Sequence, residues 1–183
     1  MSLPIADLPL FVIGTGTLLW ASRKPLRQPG SHGFYRFFAW EAILAVCVLN
    51  RNANGDQTLS ELLLQLGLAL LLLGFLALRL HGRSRARGDM EAENALYGWE
   101  STTTLVTSGI YSLIRHPMYS ALYALAWGMC LRAFDWLPLA LALTASYFLL
   151  RTAQADEQEC LAYFGTPYQD YMQRTKRFIP WLW

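Results

Sequence analysis

Charge is scarce in this chain. Only 15% of its 183 residues are Asp, Glu, Lys or Arg, against 54% hydrophobic, a balance that excludes an ordinary soluble domain and assigns the chain to the membrane class. The net charge of +2 is too small to point to nucleic acid, and the basic residues stand beside apolar runs instead of spreading over a surface able to follow phosphates. Cysteine is sparse too. Cys47, Cys130 and Cys160 form no CxxC pair and no even framework, and the first two fall inside apolar runs, so they read as small core residues and not as catalytic or metal-binding thiols. The first ten residues carry Asp7 but no Lys or Arg. A cleaved signal peptide with a basic leading region is therefore not expected, and the first apolar run should stay in the mature protein.

What the chain has in quantity is apolar runs. A helix needs about 20 mostly apolar residues to cross the bilayer core, and five candidates are present: 3–21, 33–49, the Leu- and Ala-rich 59–80, and the shorter 119–131 and 136–150. The last two are joined by Arg132-Ala133-Phe134-Asp135 and read as a tight helical hairpin. The expected fold class is all-α, a polytopic membrane helix bundle of about five transmembrane helices. Residues 1–87 form its N-terminal three helices and 88–183 a C-terminal module with the hairpin and a cytoplasmic tail. Orientation follows from the loop charges. Arg23, Lys24, Arg27 and Arg36 follow the first span and Arg79, Arg83, Arg85 and Arg87 the third, whereas the other connections hold only Arg51 and Arg132. The basic loops should be cytoplasmic, with the N-terminus outside and the C-terminus inside a bacterial or archaeal inner or plasma membrane. Trp20, Trp136, Trp181 and Trp183 fall where an aromatic belt would sit among membrane lipids. Glu41 lies within the second span, where a carboxylate must face the bundle; it either pairs with a neighbouring helix or contacts a polar substrate group.

Residues 88–114 break the apolar pattern with Asp89, Glu91, Glu93, Gly98 and Glu100 and a Thr-rich run. They lead into Arg115-His116-Pro117-Met118-Tyr119, where Pro117 suits a first helical turn. Taken alone, Arg115 and His116 could simply anchor a helix end at the headgroups. The hairpin changes the balance, because it returns Arg151, Asp156, Glu157 and Glu159, and then Tyr163, Tyr168, Tyr171, Arg174, Lys176 and Arg177, to the same rim. Carboxylates, tyrosines and arginines gathered there could hold a polar, zwitterionic ligand while an apolar partner approaches from the bilayer.

The ordered set Leu105-Val106-Thr107-Ser108-Gly109-Ile110-Tyr111, Arg115-His116-Pro117-Met118-Tyr119, Asp156-Glu157 with Leu161, Phe164-Gly165, Tyr168, Tyr171 and Ile179-Pro180 resembles the isoprenylcysteine carboxyl methyltransferases and their phospholipid N-methyltransferase relatives. The resemblance implies a helix bundle whose C-terminal part encloses S-adenosylmethionine in a cytoplasmic pocket, releases S-adenosylhomocysteine, and opens to the bilayer for a lipophilic or prenylated acceptor. No Rossmann fold is expected, and no strand-GxGxxG-helix unit contradicts that. Carried over, Leu105, Val106, Gly109, Ile110, Tyr111 and His116, with Pro117, would line the cofactor. Glu157, with Asp156, would accept hydrogen bonds from its amino or ribose groups, and Tyr119 and Tyr168 would wall the pocket. The chain departs from the family pattern at Ile110, where Pro is common, and at Asp156, where a second Glu is common.

Methyl transfer from a sulfonium is an in-line displacement in which alignment in a dry site does most of the work. A carboxylate acceptor is already nucleophilic at neutral pH and needs only orientation, for which Arg115 and Arg174 are the candidate catalytic cations. An amine or thiol acceptor must lose a proton, to His116 or Glu157. The resemblance also leaves room for a nicotinamide-dependent membrane reductase, since sterol reductases share a similar C-terminal module, and for a non-catalytic membrane protein.

Overall fold

The computed structural model describes residues 7–53, 57–82 and 104–182. Six α-helices occupy them: α1 Leu8–Ser22, α2 His32–Asn50, α3 Thr58–His81, α4 Pro117–Arg132, α5 Trp136–Phe164 and α6 Thr166–Arg174. The first five form the bundle expected from the apolar runs. By length and hydropathy, α2, α3 and α5 are each sufficient to cross a membrane. The 15 residues of α1 and 16 of α4 reach only about 22–24 Å, short of a ~30 Å hydrocarbon core. The fifth helix differs most from its sequence outline. It runs 29 residues, about 43 Å, so the charged stretch after Leu150 is not a tail but the same helix continued beyond the apolar thickness. Arg83, Arg85, Arg87, the polar stretch 88–103, the 87/88 boundary and Trp183 lie outside the described residues.

Successive helices alternate in direction. Arg51, just after α2, pairs with Asp7, just before α1, at 3.2 Å, and Asn50 Nδ2 donates to the Met129 carbonyl at 2.8 Å near the end of α4. At the opposite end the backbone N–H of His32 donates to Glu159 Oε1 at 2.9 Å, and Arg151 donates to the Tyr35 hydroxyl at 3.1 Å. One assignment made from the sequence changes. Arg36 is not a loop residue: it lies one turn inside α2, 2% exposed, its guanidinium 5.1 Å from the Trp40 ring centroid. Glu41 faces the bundle, as a carboxylate within a span must: its Oε2 accepts a 3.0 Å hydrogen bond from Thr15 of α1, while its Oε1 is buried with no hydrogen-bond partner among the described residues.

The pairing of α3 with α4 rests on small residues. Ser60, Gly67 and Gly74 recur every seventh position of α3 and are its buried residues together with Ala77. A β-carbon on Gly67 would come within 3.0 Å of the Ala121 carbonyl oxygen and 3.2 Å of Ala124, and one on Gly128 would meet Leu64 at 3.0 Å. Ser60 Oγ donates to the Gly128 carbonyl at 2.7 Å. Removing side chains lets the backbones approach, as membrane helices require when lipid offers no hydrophobic drive for their association. The outward side of α3 carries exposed Leu and Phe along its length, from Leu59 and Leu62 through Phe75 to Leu80. Such a surface is incompatible with water and natural against acyl chains.

Gly67→Val, which places branched atoms against the Ala121 carbonyl, should destabilise the detergent-solubilised protein by about 1–3 kcal/mol, the usual range for overpacking, read as a lower Tm. Gly16→Ala, where nothing lies within 4 Å, should leave Tm unchanged or raise it slightly. Equal losses at both positions would contradict the seam.

Candidate functional site

The site begins with a proline. Pro117 opens α4 and keeps His116 out of the helical region, at φ −124° and ψ 60°, so Arg115 and His116 run extended just ahead of the helix. Their backbone finds partners in the C-terminal segment. Arg115 N–H donates to the Lys176 carbonyl at 2.8 Å and His116 N–H to the Arg177 carbonyl at 3.1 Å, a short parallel bridge centred on Ile114 and Lys176. That segment is delivered by Gly165, whose φ of +63° and ψ of −135° belong to a region essentially reserved for glycine. The turn folds α6 back so that Tyr168 and Tyr171 are buried, and Tyr171 donates to the Tyr111 carbonyl at 2.6 Å.

Glu157 stands where these pieces meet. Its Oε1 accepts from Arg115 Nε at 2.8 Å, Arg177 Nε at 3.1 Å and His116 Nε2 at 3.3 Å, and its Oε2 from Arg177 Nη2 at 2.6 Å. The Glu157 side chain is 5% exposed and that of Arg115 8%. Arg115 Nη1 also donates to the Met172 carbonyl at 3.2 Å and to the Thr175 carbonyl, groups left over at the end of α6. The hydrogen bond to Glu157 raises the Arg177 pKa above its ordinary value. Burial pushes the Tyr168 hydroxyl well above its usual range, with Cys160, Asp156 and Glu157 adding to it, and burial also raises Tyr171; both phenols are therefore neutral hydrogen-bonding groups.

A single residue step along α5, a rotation of about 100°, positions the neighbouring carboxylate differently. Asp156 faces away from Arg177 and toward α4, where the Tyr119 hydroxyl donates to it at 3.3 Å and His116 Nδ1 lies 3.6 Å away. The His116 and Tyr119 rings stack at 5.2 Å. In front of them is a cavity of about 300 Å³ bounded by α2, α3, α4 and α5, at the lower end of the usual range for ligand pockets. Its polar wall carries His32, Arg36, Arg115, His116, Tyr119 and Asp156; its apolar wall carries Trp40, Leu71, Leu78, Met118 and Leu122. A second cavity of about 620 Å³ lies between α3, α4 and the C-terminal segment and is almost wholly apolar, from Leu63, Leu66 and Leu70 to Trp127 and Phe178.

The structure thus brings Tyr111, Arg115, His116, Pro117, Tyr119 and Asp156 to one cavity. Glu157 and Tyr168 are buried but absent from its lining, and Glu157 reaches it through Arg115 and His116. Ile110 lines the second cavity. Leu105, the buried Val106 and Gly109, with its positive φ, line neither cavity. Arg174 is not brought to the cluster. It is exposed, and its Nε donates to the Asp170 carbonyl of its own helix at 3.3 Å; Arg177, three residues on and past the end of α6, is the arginine of the C-terminal segment that joins Arg115 on Glu157. His32, Arg36 and Trp40 are cavity residues that sequence reasoning did not select. The available signal was the spacing of His32, Arg36 and Trp40 at successive helical turns, a polar and aromatic face at the start of an apolar span. No group of three or more His, Cys, Asp or Glu able to hold a metal occurs among the described residues.

Removing the central carboxylate leaves two arginines and a histidine facing one another in a largely buried space, a loss of about 3–5 kcal/mol for a broken buried ion pair. Glu157→Ala should therefore lower Tm strongly, whereas Arg174→Gln should stay within about 0.5 kcal/mol of wild type. Comparable Tm values for the two variants would contradict this architecture.

The family model described as phospholipid methyltransferase matches residues 62–164, from α3 through the whole of α5. Among curated relatives, a Delta(14)-sterol reductase of Mus musculus is 33% identical over 82 residues, 43% of this chain and 20% of that protein. Methanethiol S-methyltransferase 2 of Bradyrhizobium diazoefficiens is 32% identical over 71 residues, 39% of this chain and 27% of that protein. The matched stretches span about a quarter or less of those relatives' length. No solved structure matches. Because the family match covers more than half of the sequence and includes the helices that carry Pro117, Asp156 and Glu157, the chain belongs to the phospholipid methyltransferase family as an integral membrane protein.

Proposed function

We propose that this chain is an S-adenosylmethionine-dependent methyltransferase acting on a lipophilic acceptor, with carboxyl methylation of a prenylcysteine-like molecule as the favoured reaction. The observation that carries the proposal is the two-sided cavity at the start of α4. A charged wall from α2, the segment before α4, and α5 faces an apolar wall that includes Leu71 and Leu78 of α3, a helix with exposed leucines along its whole length. The residues present suit the cofactor's chemistry. Asp156 offers a carboxylate to an ammonium or to ribose hydroxyls, Trp40, Tyr111 and Tyr119 offer ring faces, and Arg36 supplies a buried cation.

Bound S-adenosylmethionine supplies an electrophilic methyl on a sulfonium that becomes a neutral thioether when the methyl leaves. The chain's own task is then alignment and exclusion of water. Glu157 ties Arg115 and His116 to Arg177 of the C-terminal segment, so the rim of the cavity is cross-linked through one carboxylate. Arg115, with Nε and Nη1 already committed, holds the rim more than it is available to an acceptor. A carboxylate acceptor needs no base. A thiol acceptor, the class named for the Bradyrhizobium relative, would pass its proton to His116 or Asp156, the titratable pair at the cavity wall.

Calorimetric titration of the detergent-purified protein with S-adenosylhomocysteine should show binding in the micromolar range, removed by His116→Ala, and none with NADPH. A prenylcysteine analogue and an alkyl thiol, each supplied with radiolabelled S-adenosylmethionine, then rank the acceptors. Binding of NADPH alone would transfer the proposal to the reductase class to which the mouse relative belongs, and binding of neither ligand would remove the enzymatic reading.

A further inference from the structure

The second cavity lies directly behind the charged one and is closed off from it. Adjacent residues divide between the two: Tyr111, Arg115 and Leu122 line the first, Ile110, Ile114 and Tyr123 the second. The ring of Phe178, on the wall of the second, packs 6.0 Å from the ring of His116, on the wall of the first. A single layer of chain thus separates them. The polar side chains that line the second cavity turn their donors into the protein. Ser120 Oγ donates to the Phe178 carbonyl at 2.9 Å, the Tyr123 hydroxyl to the Ser146 carbonyl at 2.8 Å, and Trp127 Nε1 to Ser146 Oγ at 3.1 Å. Water is held in a cavity by polar partners, which this lining keeps for itself. A space of about 620 Å³ is also far larger than the voids a packed protein leaves empty. Its natural occupant is hydrocarbon.

Depth and charge identify the kind of hydrocarbon. From Ser120 to Leu131 the lining descends α4 by about 16 Å, and a hydrocarbon core of ~30 Å gives each leaflet about 15 Å. The cavity has the depth of one leaflet and is flanked by the exposed Leu66 of α3. A cation stands at its mouth. Side chains alternate along extended chain, and Arg115 and Arg177 both turn to Glu157. The bridged pair Ile114 and Lys176 therefore turns the other way, Ile114 into the cavity wall and the exposed Lys176 to the rim beside it. We propose that the second cavity binds one phospholipid of the adjoining leaflet, with an acyl chain between α3 and α4 and the phosphate at Lys176. This lipid is a resident of the fold and not the methyl acceptor, because the partition keeps it from the charged cavity. The inference is independent of the methyltransferase reading.

The test titrates delipidated full-length protein in detergent with dioleoyl phosphatidylglycerol and follows the adducts by native mass spectrometry. Wild type is compared with Leu66→Trp, which puts an indole into the cavity, and with Lys176→Gln, each first checked for a monodisperse elution profile. Wild type should saturate with one tightly held lipid. Leu66→Trp should weaken that step about tenfold or more, since several methylenes lose their burial. Lys176→Gln should weaken it about fivefold at low salt, the effect of one cation near a phosphate, with the difference fading at high salt. Fluorescence gives a second reading without filling the cavity. Phosphatidylglycerol with brominated acyl chains should quench Trp127 at one lipid per protein, seen as the difference between wild type and Trp127→Phe. If Leu66→Trp fails to fold, this quenching decides alone. Equal affinity in wild type and Leu66→Trp overturns the site, and equal affinity in Lys176→Gln at low salt overturns the headgroup assignment. Displacement of the lipid by N-acetyl-S-farnesylcysteine overturns the inference by giving the cavity to the acceptor's tail, and a dimer mass in place of the lipid adduct overturns it in favour of a second copy of the chain.

Discussion

The carboxylate of Glu157 is the interaction on which the polar end of this molecule depends. A buried ion pair seldom adds much net stability, because desolvating the charges offsets their attraction. Its value lies in geometry. Both oxygens of Glu157 are occupied, one by donors from Arg115, His116 and Arg177 and the other by the second arm of the Arg177 fork. Those donors come from the segment before α4 and from the segment after α6, parts of the chain separated by the entire α4–α5 hairpin. The same two segments are also joined by the backbone bridge from Ile114 to Lys176 and by the bond from Ser120 to the Phe178 carbonyl. One carboxylate therefore fixes the spacing of three strands of chain, and the cavity rim is the surface that results.

Much of this was legible in the sequence because membrane segments have few alternatives. With no water in the hydrocarbon to satisfy exposed backbone, an unbroken apolar run without the alternation of a barrel strand is resolved as a helix, and the five runs became five helices. The chemistry-bearing residues were legible in part. Arg115, His116, Tyr119 and Asp156 stand together because the hairpin is short and brings both of its ends to one rim. Arg174 and Arg177 could not be told apart, since their fates depend on where α6 ends: Arg174 is still on the helix and faces outward, while Arg177 lies beyond it, on the stretch that runs beside Arg115 and His116. Arg36 was counted with the loop charges because a cation near the start of an apolar run reads as a topology signal; only its packing against Trp40 and the cavity shows it to be interior.

The seam between α3 and α4 was visible in principle and carries a broader point. No GxxxG spacing is present, yet Ser60, Gly67 and Gly74 recur at seven-residue intervals, the period at which one face of a helix stays against a neighbour. The close approach serves the site as well as the bundle. Gly74 sits against Met118 and Pro117, so the absence of a side chain at this one position lets α3 come up beside the first turn of α4. Leu71 and Leu78, one turn to either side, then reach the cavity.

Why the cavity lies where it does follows from the same solvent argument. Inside a bilayer every polar group must be paired, so a polar pocket at mid-depth would have to be completely satisfied by the protein alone. At the end of the bundle that demand relaxes, and the continuation of α5 past its apolar length supplies side chains there without adding a separate domain. The polar wall is thus confined to the level of Asp156, His116 and Arg36, while the apolar wall descends along α3, α4 and α2. The cavity is therefore two-ended, charged side chains at the rim and apolar ones along the helices that run into the bundle, because each part of its wall carries the polarity that its depth allows.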